Sequence, residues 1–184
     1  RSPAAYAAAP LPVDEALADD AALFIASMLS AGLDRNALRW APLAPAGSEA
    51  WALLALAAPG RVSPVEASAI ETFIGDDDSP DRRKSAFLLA GLAGLGRVTP
   101  ETARAVAQQL EVDFTRATRW SSLIAKAADV RNPALVALLA GLGMQGYGWE
   151  RMTPRHLYHI VAALNAVGLS AEARMIAAEA VARG

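Results

Sequence analysis

Gly60-Arg61-Val62-Ser63-Pro64 is answered 36 residues later by Gly96-Arg97-Val98-Thr99-Pro100. Each stretch follows a nearly unbroken apolar run and precedes a segment with apolar residues on one side only. Glycine after an apolar helix supplies the left-handed residue that ends it at low steric cost. Serine or threonine then accepts from the free amides of the next helix, and proline suits its first turn. Both stretches therefore read as helix-to-helix corners. Glu66 stands three residues after Ser63 and completes a capping box, whereas Thr102 takes that place in the second copy. The register reaches beyond the corners, aligning Trp51 with Phe87, Leu53 with Leu89, Leu56 with Leu92, Ala67 with Ala103 and Ile70 with Val106. A repeat of this length is the mark of stacked antiparallel helical hairpins. The expectation is an all-α domain of about nine helices, a short α-solenoid or related superhelical fold.

Composition agrees and narrows the function classes. Apolar residues make up 54% of the 184, mostly alanine and leucine, which favours close-packed helices over a sheet. A mean hydropathy of +0.25 points to helical surface covered by a partner, a second copy or a neighbouring domain. The formal charge of −2 and the lack of a basic run argue against nucleic-acid binding. With no cysteine there are no disulfides, thiol nucleophiles or cysteine-ligated metals. No apolar run nears the roughly 18 residues of a membrane span.

Residues 1–13 are rich in Ala and Pro without periodicity and read as a flexible tail or linker. Residues 14–184 read as one helical domain, part of a longer protein. A first helix from Asp14 to about Gly32 carries Leu17, Phe24, Ile25, Met28 and Leu29 on one face. Asp34 opens a short helix to Trp40. Ser48 caps helix 49–58, and Ser63-Pro64 starts 64–75. Ser79-Pro80 opens a helix to about Leu95, Thr99-Pro100 one to 110, and Asn132-Pro133 one to 142. A helix over 113–129 places Phe114, Ala117, Trp120, Ile124 and Ala127 at helical spacing. Helices 49–58, 84–95 and 133–142 are apolar nearly all round, so all three are expected to be buried.

The last pair spans 153–167 and 170–183, joined by Gly168-Leu169-Ser170. Gly168, Ala173 and Ala180, with Leu157 and Ile160 ahead of them, resemble a tetratricopeptide-type helical hairpin. Val161 stands where that family usually has a small residue, and Leu164 where it usually has an aromatic. The resemblance implies an α-hairpin repeat whose usual work is binding other proteins or peptides.

Candidate chemistry is sparse. His156 and His159 lie three apart on one helix with Glu150 nearby, but no His-Glu-x-x-His pattern is present. Asp76, Asp77, Asp78 and Asp81 lack the glycine and distal glutamate of a helix-loop-helix calcium loop, and acids at a helix start suit its dipole. Arg82, Arg83 and Lys84 are expected to pair with neighbouring acids or to be solvated. No nucleophile elbow, phosphate loop or dinucleotide fingerprint appears. No catalytic residue, metal ligand or cofactor is therefore expected.

One stretch stands out. Gly141-Leu-Gly-Met-Gln-Gly-Tyr-Gly-Trp149 lengthens the third corner, Arg151-Met152-Thr153-Pro154, by four residues relative to the second. Tyr147 and Trp149 either plug a gap between hairpins or, with Gln145 and Arg151, form a recognition loop for a peptide, glycan or partner helix. The expected function is a non-enzymatic protein–protein interaction or scaffolding module. The alternatives are an accessory domain of a larger enzyme, such as a cell-wall lytic enzyme, and a carrier of apolar ligands. An alanine-rich surface serves a homodimer or a neighbouring domain equally well.

Overall fold

The computed structural model describes residues 3–60, 63–145 and 148–184, and among them are eleven α-helices and no strand. In chain order these are α1 (Pro3–Ala8), α2 (Ala21–Ser30), α3 (Asp34–Leu38), α4 (Glu49–Ala57), α5 (Ala67–Asp76) and α6 (Arg83–Gly94). They continue with α7 (Pro100–Gln109), α8 (Arg119–Asp129), α9 (Pro133–Met144), α10 (Pro154–Ala166) and α11 (Ser170–Arg183). The all-α class read from the sequence is what the structure shows. None of these helices is long and apolar enough to cross a membrane.

Helix α6 is the centre. Every residue from Ser85 to Leu92 is buried, because the segment offers no charged side chain to turn toward water. Two glycines let other helices approach it. A Cβ on Gly91 would lie 2.8 Å from Leu56 Cδ2 and 3.0 Å from Ala177 Cβ, and one on Gly94 would lie 2.9 Å from Val161 Cβ. Helices α10 and α11 form a hairpin around Gly168 (φ 86°) and pack across α6. The small residues that carry the hairpin resemblance, Ala173 and Ala180, are fully buried. Helix α11 also lies on α4 and α2, so the last helix closes against the first third of the chain.

The helix ends follow from local sequence. Ser48, Thr99, Asn132 and Thr153 each accept a hydrogen bond from a backbone amide in the first turn of their helix, as expected. Gly60 and Gly96 share a φ of 67°, the left-handed geometry inferred for both corners. Gly96 N–H donates to Ala93 O and Arg97 N–H to Leu92 O, which terminates α6 in a Schellman motif. Arg97 then turns inward. Its guanidinium donates to Ala55 O (2.6 Å), Leu56 O (2.8 Å) and Ala58 O (2.6 Å), while Arg174 Nε donates to Ala57 O (3.0 Å). Two arginines thus satisfy the carbonyls that end α4.

Several expectations are corrected. The capping box at Ser63 and Glu66 does not form: α5 starts at Ala67 with Glu66 in the cap position and no side-chain cap bond. The cause is tertiary, since the buried Val65 donates its amide to Arg97 O (2.8 Å), which holds 64–66 extended. Arg61 and Val62 lie outside the described residues. The segment from Asp14 divides into a 3-10 turn, Glu15–Asp20, and α2. Residues 1–13 contain α1, whose Ala5 and Ala8 are buried. Helix α8 starts at Arg119 instead of near 113. Asp113 accepts from the amide (2.7 Å) and hydroxyl (2.6 Å) of Thr115, and Thr118 with Ser121 forms the real capping box. Finally, α9 is not buried all round: only Val136, Leu139 and Ala140 are, and Leu138 and Leu142 face solvent.

Candidate functional site

Helix α7 leans on α6, and α8 leans on α9 and α10, which leaves an open groove between α7 and α8. The groove has two lobes. One, about 600 Å³, runs along α7 past Ala93, Val98, Ala103, Arg104 and Ala107. The other, about 400 Å³, runs between α8 and α10 past Ile124, Ala125, Ala128, Ala162 and Ala166. Small side chains make the walls, and both lobes have the size of pockets that take ligand side chains.

A single aromatic pair divides them. Phe114, from the loop between α7 and α8, stacks on Tyr158 of α10 with ring centroids 4.9 Å apart and planes at 19°. The loop leaves α7 through Glu111, a left-handed residue (φ 55°), and then makes the Asp113–Thr115 turn. That turn breaks the helical register and sends the Phe114 ring inward. Hydrogen bonds from the Thr115 hydroxyl and amide hold the exposed Asp113 carboxyl below its usual range. Arg104 and Asp113 line the first lobe, and Asp129 and His159 the second.

At and behind the second lobe the two histidines are packed among aromatic rings. His156 lies flat on Trp120, with centroids 3.9 Å apart, and its Nε2 is 3.0 Å from Gly143 O. Trp120 Nε1 donates to Leu139 O (3.0 Å), so the pair ties α8, α9 and α10 together. His159 meets the edge of Tyr158, and its Nε2 is buried with no hydrogen-bond partner among the described residues. Burial lowers the pKa of both, with Arg155 adding to it.

The acidic loop is equally engaged. Asp77 accepts from the amide and hydroxyl of Ser79 (2.9 and 2.6 Å) and of Ser85 (2.8 and 2.5 Å). Burial raises the pKa of this carboxyl, but the four bonds outweigh it and the net shift is downward. Lys84 pairs with Glu49 at 3.1 Å, in place of the nearby aspartates. Among the described residues no three His, Asp or Glu side chains converge as a metal site.

Of the residues expected to form a recognition loop, Gln145, Trp149 and Arg151 do not line the groove. Tyr147 falls outside the described residues. Trp149 is half-buried, edge-on to Phe87 with centroids 6.4 Å apart, and its carbonyl accepts from the Arg83 guanidinium. Arg83 also donates to Met152 O (2.6 Å) and lies over the Phe87 ring. Gln145 and Arg151 are exposed on either side of that loop. Sequence reading missed Phe114 and Tyr158 as a pair. The signal was present in Asp113-Phe114-Thr115, an Asx-turn pattern with an apolar residue at its centre. Comparison of the chain with protein-family models, with curated proteins and with solved structures finds no match.

Proposed function

We propose that the chain is a non-enzymatic protein-interaction module that takes an apolar segment of a partner into the groove between α7 and α8. The observation that carries this reading is the Phe114–Tyr158 stack between the two apolar lobes. The chain's own Phe114 stands in for a ligand ring: the groove floor accepts a flat apolar side chain, and each lobe has room for another. Both lobes are open along one side, which suits a chain segment better than a sequestered small molecule. The resemblance to tetratricopeptide-type hairpins supports the same class of function. Tyr147, Gln145 and Arg151 belong to this proposal as a second contact region, with Trp149 as the anchor of their loop.

The test is selection of displayed peptides against the wild-type domain, followed by binding to Ala107→Arg and Ala162→Arg. These substitutions fill one lobe each. The expected result is enrichment of peptides with two or three apolar residues and at least a tenfold loss of affinity in either variant. Equal binding to both folded variants would move the site elsewhere, and failure to enrich any peptide would remove the reading.

A further inference from the structure

The loop that carries Phe114 is fastened to the body of the domain by that ring. It leaves α7 where Val112 N–H donates to Ala107 O (2.8 Å) and regains helix at the Thr118 cap of α8. Those two helices lean on different neighbours, α7 on α6 and α8 on α9 and α10. Between them Asp113 and every residue from Thr115 to Thr118 are exposed, and Phe114 alone turns inward. Among the described residues the hydrogen bonds of this stretch are local: Thr115 donates to Asp113, and Thr118 exchanges bonds with Ser121. Arg155 of α10 attracts the exposed Asp113 carboxyl without pairing with it, a pull that salt screens. A stacked aromatic pair shifts an equilibrium only about two- to tenfold beyond its area burial. Phe114 and Tyr158 both line each lobe, so their stack is the partition, and withdrawing the one ring joins the lobes into a single trough.

We propose that Phe114 is a displaceable ligand built into the chain: a partner segment with an aromatic side chain seats that ring on Tyr158, and the loop swings outward to admit it. Resting on the groove reading above, this names what the partner carries, an aromatic residue with apolar residues on both sides. The occupant is indicated by what already sits there, since the face of Tyr158 is covered by a flat ring at 4.9 Å and 19°. Exchanging one ring for another on Tyr158 changes little, so affinity comes from the flanking residues, which fill the alanine-walled lobes. A segment without an aromatic residue has to expel Phe114 and leave Tyr158 bare, and is rejected for that reason. The tethered ring also competes: a short loop holds it at an effective concentration of about millimolar, and apparent affinity falls by the fraction of time that the site is open.

Phe114→Ala removes the competitor from an exposed loop and is checked for unchanged helicity. The probe is p-cresol, the free side chain of tyrosine, followed through the amide resonances of Tyr158 and Ala162. Saturable binding at about millimolar concentration is expected for the variant, as a ring of this size allows, and at least threefold weaker binding for the wild type. Peptides selected on the wild type are expected to share an aromatic residue and to bind Phe114→Ala at least threefold more tightly. In the wild type, a saturating selected peptide free of Lys and Arg is expected to speed tryptic cleavage after Arg116 at least threefold, because the loop is released. Cresol reads the ring site alone, so the absence of a saturable shift in the folded variant would overturn the proposal whatever peptides the groove takes. Selected peptides without an aromatic residue, equal or weaker binding to Phe114→Ala, or cleavage unchanged or slowed by peptide would each overturn it and leave the groove itself standing.

Discussion

Gly143 has no room for a methyl group. A Cβ there would lie 2.6 Å from Trp120 Cζ2 and 2.7 Å from His156 Nε2, both in rings held by hydrogen bonds. Gly143→Ala should therefore cost about 1–3 kcal/mol, read as a lower urea midpoint with unchanged slope. Glu111 and Arg131 make the opposite case, because both hold left-handed backbone (φ 55° and 51°) in Schellman turns where glycine is usual. Glu111→Gly and Arg131→Gly should each stabilise by about 0.5–1 kcal/mol, measured as a rise in the melting midpoint. The histidines give a pH dependence of definite sign. Burial holds His156 and His159 below the ordinary 6.5, so the unfolded chain binds protons first as pH falls. Stability should be full above about pH 6.5 and decline as pH drops below it. His159→Gln should flatten that decline in urea titrations at pH 7 and pH 5.5. Asp77 adds a separate window, since its lowered carboxyl stabilises above about 3.8 and that contribution disappears at more acidic pH.

At the scale of elements, α4 depends on side chains remote in sequence for its C-terminal end. Arg97→Ala would leave the carbonyls of Ala55, Leu56 and Ala58 without their guanidinium donor. A loss of about 3 kcal/mol follows from hydrogen bonds to a charged group and buried acceptors left unpaired; guanidinium-chloride unfolding measures it. Arg97→Lys should recover only part of it, because a single ammonium cannot span three carbonyls. This also shows how far the sequence was legible. Caps that act within three residues were readable, and Ser48, Thr99, Asn132 and Thr153 all cap as expected. Ser63 did not, because the competing bond from Val65 to Arg97 comes from another corner. The groove was hidden for a similar reason: Phe114 fits a helical stripe until the Asp113 turn removes it. The apolar run of α9 was plain, but its exposure depended on what the fold left uncovered.

For the whole molecule, the decisive contact is between its ends. In a linear stack of hairpins each unit touches only its neighbours, and the last can be removed at small cost. Here α11 lies on α2, α4 and α6 as well as on α10, and Arg174 bonds Ala57 across 117 positions. A chain ending after Gly168 should therefore lose cooperative unfolding altogether, seen as a broad, sloping thermal melt in place of a single transition. The same closure has a consequence during synthesis. Helices α4 and α6 leave the ribosome before α11, which packs on both of them. The nascent domain thus carries sticky helices until residues 170–184 emerge, and its last step of folding waits on α11.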